Sequence, residues 1–371
     1  MERTLQMPAW LRRLRPAHSG DGRAAMRPWL LLFLILLIPL AVLLGLSTGP
    51  MELRIHEVAS ILLAKLGGPA FAQVSLAETV VVWDIRLSRV ILAILVGGGL
   101  AMAGAAMQGV FRNPLADPGI IGVTSGGAIG AILMIVLGAR LLPPALLETF
   151  SLYAVPLAAM TGAVGMTLVI YRLSISQGQV DLVSMLLVGI AVNALGGAVI
   201  GLMTFIATDE ELRTLTFWGL GSLGRANWEL LLPALLFILI PLLVLPRFAR
   251  PLNALLLGEE EAIHLGIDVA RVKRRLILLS ASVVGATVAL CGAIGFIALV
   301  APHMIRTAIG PDHRFLLPAS ALWGASLLLF ADIGARNLVA PAELPIGILT
   351  ALIGAPVFLG LLIQRRRHSA F

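Results

Sequence analysis

The sequence predicts an all-α polytopic membrane protein with ten transmembrane helices and both termini in the cytoplasm. Composition is the first reason. The chain is 59% hydrophobic and 13% charged, with a mean hydropathy of +0.98, whereas soluble domains carry about 25% charged residues. Periodicity is the second. Apolar runs recur at about 20 residues each, the thickness of a bilayer core. They are continuous rather than alternating, so their backbone groups pair within helices and not in a barrel. Charge placement is the third. Both ends are basic, which places both in the cytoplasm and requires an even number of spans. The 27 Lys and Arg against 20 Asp and Glu therefore read as orientation signals, not as a nucleic-acid footprint.

Residues 1–28 form a basic tail with Arg3, Arg12, Arg13, Arg15, Arg23 and Arg27. Trp10 and Leu11 hint at a short interfacial helix, but Pro16, Gly20, Gly22 and Pro28 predict a loose cytoplasmic segment. The transmembrane body occupies 29–364. Its first span, Trp29–Leu46, exceeds the apolar core of a signal peptide, about 7–15 residues, and lacks a small-x-small cleavage site. A long mixed loop follows, 47–89, in which the amphipathic spacing of His56–Leu66 predicts a surface helix. The loop ends in WDIRLSR at 83–89. Spans two to six are Val90–Phe111, Gly119–Ala139, Phe150–Tyr171, Leu182–Ala207 and Leu230–Leu245.

The charged stretch 247–275 comes next. Glu259, Glu260 and Glu261 are followed by His264, Gly266 and Asp268, then by the basic cluster Arg271, Lys273, Arg274 and Arg275. Charged and apolar at once, it reads either as a docking surface for a soluble partner or as a solvated connection. Leu276–Ile309 is too long for one span. At about 1.5 Å per residue it would exceed ~50 Å, against a hydrocarbon core of ~30 Å. Gly292, Gly295 and Pro302 offer break points, giving spans seven and eight. Leu316–Asp332 and Leu344–Ile363 complete the ten, and 365–371 is a short cytoplasmic tail with Arg365, Arg366 and Arg367. In this order 19 of the 27 basic residues fall inside and 8 outside, so 247–275 is cytoplasmic.

Small residues recur every four positions: Gly97, Ala101, Ala105 and Gly109 in span two, Gly122, Gly126 and Gly130 in span three, Gly189, Asn193, Gly197 and Gly201 in span five. Such stripes either pack helices closely or line a pathway. No Walker A, H-E-x-x-H or G-x-S-x-G motif is present. No catalytic residue and no metal site is therefore assigned. The one cysteine, Cys291, sits in an apolar run, which speaks against disulfides and Cys-rich metal centres. His303 beside Pro302 is either a metal or haem ligand or a structural hydrogen-bonding group. Arg86, Arg89 and Arg336, near outer span ends, either receive carboxylates of a soluble partner or snorkel to headgroups. Few ionisable groups lie within spans, where an ion-coupled carrier needs them. The chain reads as a passive body whose energy comes from a separate ATPase. An ATP-independent secondary transporter is the alternative of another class.

Four blocks resemble the FecCD/BtuC family of ABC-importer permeases. They are QGVFRNPLADPGIIGVTSGGA at 108–128, GFIALVAPH at 295–303 with DHR at 312–314, LPIGILT at 344–350 with GAPVF at 354–358, and IRLSR at 85–89. The resemblance implies a permease with no ATPase activity of its own and no permanently bound cofactor. Partners would be a second permease subunit (read as a copy of this chain), two cytoplasmic ATPase subunits, a periplasmic binding protein and the lipid bilayer, with no nucleic acid. It further implies that Arg86, Arg89 and Arg336 dock the binding protein, although Ser88 replaces the family's proline. Coupling to the ATPase would fall on Gly258, Glu259, Glu260, Glu261, Ala262, His264, Leu265 and Gly266, in a loop running to Asp268. The cytoplasmic gate would fall on Asn113 and Leu115, with a second segment near 180–183. The wording of the first block is most similar to the haem-importing branch. Haem is the expected cargo, ahead of iron–siderophores and cobalamin, with the bacterial inner membrane as location.

Overall fold

The computed structural model describes residues 19–176 and 179–369. Helix α1 (Ser19–Ser47) begins inside the stretch expected to be loose and runs through Pro28 and Pro39. In apolar surroundings the backbone has no other partner, so the helix continues across both prolines. Trp10 and Leu11 lie outside the described residues. The expected surface helix is α2 (Ile55–Lys65). Helix α3 (Leu76–Val80) starts on a capping box of Ser75 and Glu78. It passes through a π-helical stretch, Val81–Leu87, into α4 (Ser88–Val110). The WDIRLSR segment is therefore helix and not loop.

The bundle is built around α4, whose apolar stretch is 89% buried, against 17–22% for the outlying spans at α1 and at α7 (Ala154–Leu173), α8 (Leu182–Ile206) and α10 (Trp228–Val244). Helix α5 (Val123–Leu141) precedes the short α6 (Pro144–Phe150). A hairpin of two-residue strands, β1 (Ile175–Ser176) and β2 (Gln179–Val180), joins α7 to α8 with Ile175 opposite Val180. Helix α9 (Asp209–Gly219) lies between the fifth and sixth spans and starts on a capping box of Thr208 and Glu211. A 3-10 turn, Leu245–Phe248, carries α10 into α11 (Ala249–Leu255), and α12 (Glu259–His264) follows. Then come α13 (Val269–Cys291), α14 (Ile297–Ile309), α15 (His313–Asn337) and α16 (Ile346–Ser369). Among the described residues, eight helices are long and apolar enough to cross a membrane, and Ile297–Ile309 and Ile346–Gly360 are shorter apolar helices.

The break in the long seventh stretch falls at its glycines, between Cys291 and Ile297, with Pro302 inside α14. Gly292 and Phe296 have φ of 71° and 67°. The unwound backbone is protected by protein: Ser222 N–H donates to Cys291 O at 2.7 Å, and a β-carbon on Gly292 would overlap the Trp218 carbonyl. Irregular backbone at this depth is tolerated only under such cover. Two of the small-residue stripes prove to be packing faces. A β-carbon on Gly97 would overlap the Gly324 carbonyl of α15, and one on Gly126 the Gly162 carbonyl of α7.

Candidate functional site

The acidic stretch folds into a short protruding helix. Gly258 starts it with φ of 139°, where a side chain would be strained. Glu259, Glu260 and Glu261 fill the first turn of α12, opposing the partial positive charge of a helix N-terminus. Ala262 is buried among Ala254, Leu255 and Val269. Gly266 turns the chain back, and Asp268 caps α13 by accepting the Arg271 N–H at 2.9 Å. Lys273 Nζ lies 2.7 Å from both carboxylate oxygens of Glu259. The acid triplet therefore divides: Glu259 is tied to the body, while Glu260 and Glu261 are exposed. Beside them His264, Leu265 and Gly266 are exposed, and so are Leu256, Leu257 and Ile263. One buried alanine and one ion pair thus hold a knob with an apolar and acidic outer face.

That ion pair borders a cleft of about 480 Å³ lined by Phe111, Arg112, Val180, Asp181, Leu182, Val183, Leu186, Glu259 and Lys273. The second expected gate segment, 180–183, forms one of its walls. Asp181 starts α8 by accepting the Val183 and Ser184 N–H groups. The Ser184 hydroxyl, before the backbone groups, holds the Asp181 carboxyl below its usual range, and the Lys273 charge adds to this. Asn113 and Leu115 stand in the turn that follows α4, both exposed, with Leu115 N–H donating to Asn113 Oδ1 at 2.9 Å. The cleft is walled by Phe111 and Arg112 and not by this pair. Arg112 takes φ of 48°, which turns the chain away from the end of α4.

A second polar knot lies at the same end. Asp312 accepts from Asn253 Nδ2 at 2.7 Å and from Arg314 N–H at 3.0 Å, and sits 3.7 Å from Arg27. Burial would raise the Asp312 carboxyl, but the Asn253 amide, the Arg314 N–H and the charges of Arg27 and Arg314 hold it below the usual range. The knot ties α1, α11 and the start of α15 together.

At the opposite end the three arginines expected to dock a partner turn inward. Arg86, Arg89 and Arg336 are 4%, 5% and 4% exposed. Arg86 donates to the carbonyls of Leu46, Ser47 and Met51 at the end of α1. Arg89 Nε donates to Asp332 at 2.7 Å, and its Nη1 to both Glu343 oxygens at 3.0 and 2.8 Å. Arg336 donates to Thr48 O and Gly45 O. Its Nε lies 3.1 Å from Asp332 Oδ2, an ion pair without hydrogen-bond alignment. As they stand, these guanidiniums are not presented to a soluble partner. They fasten α1, α4, α15 and the 338–345 loop, because a buried guanidinium is stable only with acceptors around it. Only the i,i+4 pairing of Asp332 with Arg336 was legible in sequence; Arg89 and Asp332 are 243 residues apart.

The third stripe differs from the other two. Gly189 is buried, Asn193 is half-buried with Oδ1 unpartnered, and added β-carbons at Gly197 and Gly201 would meet nothing within 4 Å. This part of α8 faces away from the rest of the chain. His303 lies within α14 and Cys291 is buried. Among the described residues no group of His, Cys, Asp and Glu is arranged to hold a metal ion.

Residues 34–364 match the model of the FecCD transport family. The chain is 50% identical over 290 residues to the hemin transport system permease protein of Yersinia pestis, covering 78% of this chain and 85% of that one. It is 42% identical over 287 residues to the vitamin B12 import system permease protein of Escherichia coli O9:H4 (strain HS), covering 77% and 84%. To the molybdate import system permease protein of Haemophilus influenzae it is 37% identical over 347 residues, covering 92% and 97%. A solved structure described as the inward-facing conformation of a metal-chelate type ABC transporter superposes with a TM-score of 0.78 at 35% identity, covering 91% of this chain and 99% of that one.

Proposed function

Because the chain belongs to the FecCD transport family, whose members are ABC-importer permease subunits that leave ATP hydrolysis to a separate subunit, we propose that it carries haem across a bacterial inner membrane. The observation that carries the haem reading is the 50% identity to a hemin permease, against 42% and 37% to vitamin B12 and molybdate permeases. The assembly would contain two copies of this chain, two ATPase subunits and an external binding protein. In this reading the ATPase takes the knob at α12, with Leu256, Leu257, Ile263 and Leu265 as its apolar anchors and Glu260 and Glu261 as its acidic rim. The open face of α8 at Gly197 and Gly201 lies toward the second copy and the pathway between them.

Binding-protein docking falls on the rim that Arg86, Arg89 and Arg336 hold in shape, with Glu343 as the exposed member of that cluster at 43% side-chain exposure. The arginines support the surface from beneath. The discriminating experiment is reconstitution of the chain with its ATPase and binding protein in proteoliposomes. ATP-dependent haem uptake should exceed uptake of cobalamin or a ferric siderophore by about tenfold, a difference of ~1.4 kcal/mol in transport barrier. Preference for cobalamin would replace the haem assignment, and uptake without ATP would favour a secondary transporter.

A further inference from the structure

The basic cluster that begins α13 reads in sequence as an orientation signal. Arg271, Arg274 and Arg275 are exposed, as that reading requires, but Lys273 is 5% exposed. Its ammonium is held at 2.7 Å by both oxygens of Glu259. Glu259 belongs to the knob, which is otherwise fastened by little more than Ala262. Lys273 belongs to a helix that runs deep into the bundle, where a β-carbon on Gly99 of α4 would crowd Val283 and one on Gly127 of α5 would crowd Val288. The ion pair is thus the polar link between the knob and a helix seated against two spans.

Across the same cleft stands a second carboxylate, Asp181, at the start of α8. It is oriented by the Val183 and Ser184 N–H groups, and it already feels the Lys273 charge. A shielded ammonium cannot lose its carboxylate cheaply. If the knob is displaced, Glu259 moves with it, and Asp181 is the other carboxylate lining the cleft. Arg112, the other cation of the cleft, is exposed and can stay hydrated.

We infer that Lys273 is a switching residue that exchanges Glu259 for Asp181 when the knob is displaced, drawing the start of α8 toward α13 and closing the cleft. Resting on the importer reading above, this names the residue through which displacement of the knob reaches the cytoplasmic mouth of the pathway. Lys273 is a positioning residue and touches no cargo.

The test uses the chain assembled with its ATPase in proteoliposomes, measuring assembly, ATP hydrolysis and haem uptake separately. Asp181→Asn is the informative variant. Asparagine still caps α8 through its side-chain oxygen, and the Glu259–Lys273 pair is untouched, but the charge that receives Lys273 is gone. Uptake should fall about tenfold while assembly and hydrolysis by the partner ATPase continue, an uncoupled phenotype. Lys273→Met should behave alike, and the exchange Glu259→Lys with Lys273→Glu should leave uptake low, because the inverted pair presents Asp181 with a carboxylate. Wild-type uptake by Asp181→Asn, or a fall in hydrolysis and assembly in step with uptake, overturns the inference. Failure of the unaltered chain to support ATP-driven uptake would instead remove the function on which it rests.

Discussion

At the scale of single residues, the outer ion cluster separates two carboxylates by exposure. Asp332 is 1% exposed at its side chain and lies between Arg89 and Arg336, whereas Glu343 is 43% exposed and pairs with Arg89. Removing one partner of a buried pair costs about 3–5 kcal/mol, because the remaining charge is stranded. An exposed partner contributes about 0–1 kcal/mol. Asp332→Asn should therefore markedly lower the melting temperature of the detergent-solubilised chain, and Glu343→Gln should barely move it. Equal shifts in thermal melts would contradict the assigned burial. By the same physics, charge reversal at Arg86 or Arg89 damages the packing of helix ends and is not a clean probe of docking; changes at Glu343 are. Sequence spacing singled out the three arginines but carried no information on the direction they face. Orientation depends on carbonyls of α1 some 40 residues away in the chain and on a carboxylate far downstream.

At the scale of elements, the small-residue stripes look alike in sequence and differ in structure. Gly97 and Gly324 bring α4 and α15 into backbone contact, while Gly197 and Gly201 face open space. Gly97→Val should force the two helices apart, with an overpacking cost of about 1–3 kcal/mol or more, read as a lower melting temperature. Gly201→Leu should leave the melting temperature unchanged and reduce uptake by about tenfold if this face borders the pathway or the second copy. Unchanged uptake with Gly201→Leu would assign that face to lipid. The stripe motif is legible because period four is written in one segment. Its partner is not, because which helix lies opposite is settled by the whole bundle. The knob shows the same division. Its acidic first turn and flanking glycines were visible in sequence, but the pairing of Glu259 with Lys273 arises only when α12 folds back along α13.

At the scale of the whole molecule, the sequence by itself determined the class. Hydropathy demands helices because lipid offers the backbone no other partner. The excess length of Leu276–Ile309 demanded a break, and the structure places that break between α13 and α14. Four separated sequence blocks, taken in order, pointed to the FecCD transport family, to which the chain belongs. Tertiary structure alone decided where charges go. It turned WDIRLSR from loop into helix, folded three arginines inward, and paired Lys273 with Glu259 beside a cleft that Asp181 also lines. The reason is physical. Burial of a charge is a property of all elements that surround it, and those elements come from α1, α4, α8, α12, α13, α15 and the 338–345 loop, segments whose proximity no local pattern encodes.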